Sequence, residues 1–176
     1  WAPYGQKIEE IRLQRIHEEL LESSAYESRR AQIAQFNATH EHVKRGLAFQ
    51  PVKFGISFTV SVLNQAGALV VVYTDGSAQI NHGGTEMGQG LHTKMAAVAA
   101  DTLGLPSDRI RVMHTNTEKV PNTTPTAASS GSDLNGAAVL DACRKITERM
   151  RPIAAQILEC PEAEVCFEAG QVHGGG

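Results

Sequence analysis

The chain is predicted to adopt an α+β fold: a mixed or antiparallel sheet with packed helices, an N-terminal helical segment and a long C-terminal helix. Three observations carry that prediction. The first 45 residues are rich in charge and repeat their apolar residues at helical spacing. From Gly46 the composition turns to β-branched and aromatic runs. Beyond Val139 an apolar stripe returns at helical spacing. The expected organisation is a helical lead-in over residues 1–45 and an α+β part over residues 46–176.

Each element has its own signal. Leu13, Ile16 and Leu20 mark one helix. Ser24-Ala25-Tyr26-Glu27 offers a capping box for a second, which carries Tyr26, Ile33 and Phe36. His40 and His42 follow beside Lys44 and Arg45, the pattern of a solvated helix end, since no third metal ligand accompanies them. Residues 53–63 read as a strand, with Val60 and Val62 on its core side. Gly67 to Thr74 forms another apolar run, Asp75-Gly76 a two-residue hairpin turn, and residues 77–82 the returning strand. Leu91, Met95, Val98 and Leu103 give a helix closed by Gly104 and Pro106, with Met95 in the core. Arg109 to His114 reads as a strand, and residues 115–135 as a long polar loop of the kind that is either functional or a disordered linker.

The last third is one long stripe, Val139, Cys143, Ile146, Met150, Ile153 and Ile157, interrupted by Pro152, so a kink or two abutting helices are expected. Glu164 to Glu168, the turn Ala169-Gly170 and Val172 then form a hairpin whose second strand is only begun. That ending suggests a portion of a larger protein.

Composition narrows the function classes. With 41% apolar and 20% charged residues in 176, the chain is globular rather than disordered. A net charge of −3 gives no electrostatic case for nucleic acid or an anionic membrane. No apolar run approaches the ~20 residues of a membrane span, and the first residues lack a signal-peptide pattern. Cys143, Cys160 and Cys166 form no C-x-x-C pair, so reduced core thiols and a cytoplasmic setting are expected.

The segment His82-Gly83-Gly84-Thr85-Glu86-Met87-Gly88-Gln89-Gly90-Leu91-His92-Thr93-Lys94 is the richest in chemistry. Glycines let backbone N–H groups converge on a ligand, and the following helix adds its free N–H groups and dipole. Together they favour an anionic or strongly polar ligand, although the same composition also suits a turn that only redirects the chain. Thr126 to Ser132 offers hydroxyls and small side chains ahead of another helix, and Phe58-Thr59 is a third segment that could join them. There is no nucleophile triad, zinc-protease motif, dinucleotide fingerprint or Walker lysine. His82, His92 and His114 are spaced as ordinary hydrogen-bonded histidines, and no protein metal ligand is assigned.

Four motifs carry a family resemblance that extends from about Tyr4 to Pro152. They are Lys44-Arg45-Gly46-Leu47, Lys53-Phe54-Gly55-Ile56-Ser57-Phe58-Thr59, the glycine loop, and Val120-Pro121-Asn122-Thr123-Thr124-Pro125-Thr126-Ala127-Ala128-Ser129. In order and at suitable intervals, they resemble the molybdenum hydroxylases, the xanthine dehydrogenase and aldehyde oxidase family, and its xanthine dehydrogenase branch in particular.

The resemblance implies a segment of a molybdopterin-binding domain. In that family purines are hydroxylated with oxygen derived from water, and electrons leave through 2Fe-2S clusters to FAD and NAD on other segments. It implies that Phe58 lies against the purine and Thr59 hydrogen-bonds one of its heteroatoms. Ala127 and Ala128 would form a wall of small residues along the substrate's approach. Met87 and Gly88 would hold the pterin through backbone and Gln89 through its amide, while Ser129 would contact the pterin or its phosphate. At Gly131 the animal pattern has a further serine, so neighbouring hydroxyls or backbone N–H groups would have to substitute. The family's general base is expected outside this chain, with Glu86 as a loop-fixing residue. The implied partners are the remaining parts of the molybdenum subunit, the iron–sulfur and FAD domains or subunit, and a purine substrate, in an oligomeric parent. The chain alone is expected to be inactive and to hold little cofactor. An aldehyde oxidase-type segment and a non-catalytic phosphate-binding module are the alternatives.

Overall fold

The computed structural model describes residues 1–2, 5–52, 54–119 and 123–174. Tyr4, near which the resemblance begins, and Lys53 and Val120-Pro121-Asn122, which belong to the motifs above, lie outside the described residues. The chain forms two compact units, Trp1–Phe54 and Gly55–Gly176.

The first unit holds α1 (Leu13–Ser23) and α2 (Tyr26–Thr39). The capping box does not form. Ser24 instead closes α1, its N–H donating to the Leu20 carbonyl at 3.0 Å, and Ala25, in the left-handed region at φ 50°, starts α2 without a side-chain cap. A linker this short leaves Ser24 no freedom to serve both helices. The other end of α2 is better held, and is the solvated helix end expected around His40. The Lys44 ammonium donates to the carbonyls of Asn37 (2.5 Å) and His40 (2.6 Å), placing a cation at the negative end of the helix dipole.

The second unit is α+β. Strands β1 (Ala68–Val72) and β2 (Ala78–His82) pair antiparallel, and β3 (Ile110–Val112) pairs parallel to β2, so the three-stranded sheet is mixed, in the order β1-β2-β3. Tyr73 and Ser77 close the β1–β2 turn, with Gly76 at φ 79°. Its loop is therefore three residues, Thr74-Asp75-Gly76, rather than the expected two, and only the glycine needs positive φ. Helix α3 (Leu91–Leu103) spans the parallel crossover from β2 to β3, ended by Gly104 at φ 65°. Helix α4 (Gly131–Leu158) runs 28 residues and carries Pro152 without dividing into two. Its start takes the last five residues of the expected polar loop.

The core follows from two helical stripes. Leu91, Met95, Ala99 and Leu103 recur every fourth residue on α3 and meet Val139 and Cys143 of α4 and Ala78 and Ile80 of β2. Burying each large member stabilises the fold by roughly 1.5–3 kcal/mol. Of the long α4 stripe, Val139 and Cys143 are buried, whereas Ile153 and Ile157 are 61% and 75% exposed. A second, two-stranded sheet, β4 (Cys166–Glu168) with β5 (Gln171–His173), closes the unit. Arg151 ties it to α4 by donating to the carbonyls of Glu162 and Val165.

Two further expectations are corrected. Residues 54–63 form no strand: Ser57 turns through φ 73°, Ser61–Leu63 is a short 3-10 turn, and Val60 and Val62 are exposed. A β-rich sequence becomes a strand only where a neighbour offers a ladder, and here the Asn64 side chain takes that place at Phe58. The thiols also differ from expectation. Cys143 is buried, and burial pushes its thiol pKa up to about 11, but Cys160 is half-buried and Cys166 exposed. Among the described residues no helix is long and apolar enough to cross a membrane.

Candidate functional site

The glycine loop leaves β2 at its most buried end. His82 is 1% exposed, and its Nδ1 accepts the Gly84 N–H at 3.1 Å, so the proton of the neutral ring sits on Nε2. Burial, reinforced by the His92 ring 5.2 Å away, pulls the His82 pKa from 6.5 to about 4. Thr115 braces the same turn from the far side, its hydroxyl donating to the Gly84 carbonyl at 2.7 Å. Gly84 is needed for space rather than for backbone freedom: a Cβ there would meet Leu91 Cδ2 at 2.4 Å and Asn135 Nδ2 at 2.9 Å.

The exposed half of the loop is organised by two of its own side chains. Glu86 turns back over the start of α3. Its Oε1 accepts the N–H groups of Gly88 (2.9 Å) and Gly90 (3.0 Å), and its Oε2 that of His92 (2.9 Å). These bonds, the His92 N–H first, hold its carboxyl below the usual range. Glu86 therefore fixes the loop. Gln89 folds the other way, its Nε2 donating to the Thr85 carbonyl (2.9 Å) and its Oε1 accepting the Met87 N–H (2.5 Å). The amide cradle expected to face an external anion is thus filled from within the chain. Four glycines, a helix start and a loop-fixing Glu86 were expected before the structure; which N–H groups its carboxylate would accept was not.

The three segments expected to converge are tied together. Ser57 N–H donates to the Ala128 carbonyl at 2.9 Å, bringing the Phe58 segment against the turn before α4. Asn64 grips Phe58 at both backbone groups, accepting its N–H at 2.9 Å and donating to its carbonyl at 2.8 Å. Thr85 N–H donates to Thr126 Oγ1 at 2.8 Å, joining the glycine loop to the same turn. Ala128 and Ser129 are consecutive non-glycine residues in the left-handed region, both at φ 53°. Such backbone is held only by its surroundings, and here the Ser130 hydroxyl pins the turn by donating to the Ala127 carbonyl at 3.0 Å.

Between loop and turn lies a cavity of about 380 Å³. Met87, Gln89, Ala127 and Ser129 line it, joined by Ser132, one of the hydroxyls neighbouring Gly131, and by Lys94, to which the sequence assigned no role. Lys94 Nζ donates to Ser132 Oγ at 3.2 Å, linking the first turns of α3 and α4. Its position four residues after Gly90 is the signal that it faces the same way as the loop. Gly88 and Ala128 sit in the segments that frame the cavity without lining it. Phe58 is half-buried and Thr59 exposed, and neither lines it. A larger open groove of about 750 Å³ between the end of α3 and β4 contains none of the candidate residues. His82 is buried, His92 half-buried and His114 exposed, and no metal-holding cluster occurs among the described residues.

The cavity suits a polar, anionic group. It combines an ammonium, the three hydroxyls of Thr126, Ser129 and Ser132, and the start of the long helix α4, whose N-cap Ser130 makes no side-chain capping bond. Gln89 spends one donor and one acceptor site on the loop, and a primary amide has two donors and two lone pairs, so one of each stays available.

The family model of the molybdopterin cofactor-binding domain matches residues 19–175. The chain belongs to this family. It is 55% identical over 150 residues to a xanthine dehydrogenase/oxidase of Gallus gallus and 54% identical over 150 residues to a xanthine dehydrogenase of Drosophila subobscura, each match covering 85% of this chain. It spans 11% of the length of each of those relatives. Among solved structures it resembles quinoline 2-oxidoreductase from Pseudomonas putida 86, with a TM-score of 0.58 and 26% identity over 62% of this chain and 14% of that one. A reconstituted CO dehydrogenase from Oligotropha carboxidovorans gives a TM-score of 0.55 and 32% identity, covering 58% of this chain and 13% of that one. The α+β class of the molybdopterin-binding domain and the resemblance drawn from its motifs therefore agree.

Proposed function

We propose that this chain supplies part of the molybdopterin-binding catalytic region of a xanthine dehydrogenase, which hydroxylates purines, hypoxanthine to xanthine to urate, using oxygen from water. The observation that supports it most is that the Phe58 segment and the glycine loop are both hydrogen-bonded to the Thr126–Ser132 turn, with a cavity between the loop and that turn. When bound, the molybdopterin supplies two-electron chemistry at molybdenum. The chain's own residues hold and orient. Gln89 uses its second donor and acceptor toward the pterin, Met87 and Gly88 contribute backbone carbonyls, and Ser129 meets the pterin or its phosphate. Phe58 and Thr59 orient the purine, and Ala127 and Ala128 leave it room to approach.

The general base comes from outside these residues, as do the 2Fe-2S clusters, FAD and NAD that carry electrons away. The partners are the remainder of the molybdenum subunit and the iron–sulfur and FAD segments, in an oligomeric, cytoplasmic parent. A site whose groups act together retains no partial rate from a partial shell, so the chain by itself turns over no xanthine.

The test is Gln89→Ala in the full-length protein. A buried polar group left without its partner costs roughly 1–3 kcal/mol, about a tenfold to hundredfold loss of affinity. Molybdenum per protein should fall accordingly. Unchanged molybdenum and turnover would reduce Gln89 to a structural residue. A wild-type protein that carries phosphate but no molybdenum would instead favour a phosphate-binding module.

A further inference from the structure

An exposed glutamate that receives three backbone N–H groups across six residues is an unusual use of a charged side chain. Gly90, the N-cap of α3, has no side chain to offer, so the capping duty falls on Glu86, outside the helix. The two carboxylate oxygens are divided between donors: Oε1 takes Gly88 and Gly90, and Oε2 takes His92. This is the geometry with which a glycine loop and helix start would otherwise hold a ligand's anion.

We propose that Glu86 is a positioning residue for the cofactor loop, a resident anion that fills the amide cradle and thereby decides which side of the loop meets the ligand. With the carboxylate in place, the amides of Gly88, Gly90 and His92 are already committed to a partner. Met87 and Gln89, the residues between those donors and Glu86, are left to line the cavity on the other side. Gln89 completes the arrangement by taking the Met87 N–H, which removes one more loop donor from competition. The loop is thus assembled before any ligand arrives, and its contribution to binding is an amide side chain and carbonyls rather than an oxyanion-type nest. The anionic end of a ligand is directed instead to the other wall, where Lys94 and the start of α4 lie.

The inference rests on the molybdopterin reading of the site for its ligand, but not for the loop geometry, and the experiment separates the two. Full-length protein is prepared without cofactor as wild type, Glu86→Ala, Glu86→Gln and Glu86→Asp. Amide hydrogen exchange is followed in the peptide spanning residues 83–94. Glu86→Ala should exchange about tenfold faster or more at Gly88, Gly90 and His92, since three bonds are opened to water. Excess formate, a small carboxylate, should slow that exchange back toward wild type. Glu86→Gln keeps the size but sets an NH₂ group against one donor, so it should fall between, and it keeps the test alive if the alanine variant does not fold.

On loading, molybdenum per folded molecule should drop about tenfold in Glu86→Ala and recover when formate is present. Equal exchange in wild type and Glu86→Ala would overturn the arrangement. A lowered melting temperature with unchanged molybdenum per folded molecule would overturn the positioning role, leaving Glu86 a helix cap. Wild-type protein that takes up no molybdenum, with the exchange difference intact, would sink the cofactor reading while upholding the resident anion.

Discussion

Replacing His82 by Asn should change how the fold responds to mild acid more than any other single substitution at the site. His82 accepts the Gly84 N–H through Nδ1 and must stay neutral to do so. Burial lowers its pKa from 6.5 to about 4 in the folded chain, whereas the unfolded chain keeps the ordinary value. The unfolded state therefore binds the extra proton between those two values. The stability tied to this group is fully present above about pH 6.5, is lost as pH falls toward 4, and changes no further below that. At about 1.4 kcal/mol per pKa unit, the full swing is about 3 kcal/mol, and about 2 kcal/mol of it should be gone by pH 5.

Asn places an amide oxygen near the position of Nδ1, so the turn keeps an acceptor and loses only the titration. Glu86 and Asp75, whose carboxyls sit below their ordinary values in the fold, add acid sensitivity of their own, but at lower pH and equally in both proteins. Urea unfolding followed by circular dichroism at several pH values between 5 and 7.5 gives the comparison. The wild-type advantage over His82→Asn should shrink by about 2 kcal/mol across that window. Parallel curves would refute the argument and mean that His82 is hydrated or already paired with another proton acceptor.

Two further outcomes follow from the same geometry. Gly84→Ala should destabilise by about 1–3 kcal/mol through overpacking against Leu91 and Asn135. Urea unfolding should also show that its effect and that of Leu91→Ala do not add, because the smaller side chain makes room; strict additivity would refute the steric explanation. In the full-length protein, Thr59→Val should lower kcat/KM for xanthine about tenfold or more while affecting a simple aldehyde much less, since the aldehyde lacks the purine heteroatom that the lost hydroxyl would bond. Equal losses for both substrates would assign Thr59 to the fold or the metal site, and no loss for either would remove it from the substrate.

The features legible in the residues alone were those set by local chemistry. The helical repeats of Leu91, Met95 and Leu103 and of Val139 and Cys143 specify their faces because a helix satisfies its own backbone and needs only one apolar stripe to dock. Gly104 marked the end of α3 for an equally local reason, its left-handed backbone. The motif of the glycine loop was specific enough to point to the family.

Tertiary structure decided everything that depends on a partner distant in sequence or on competition between neighbours. The run from Phe54 to Leu63 has strand composition, yet it has no ladder, and Asn64 and Ala128 take up its backbone groups instead. Ser24 had the chemistry of a cap but was already committed to closing α1. Lys94 was unremarkable until α4 brought Ser132 within 3.2 Å of it. The loop's amides could have faced a ligand, and only the folded chain shows that the Glu86 carboxylate reaches them first. The physical reason is common to all four: a donor's identity is written in its residue, but its partner is whichever acceptor the packed chain delivers at hydrogen-bond distance.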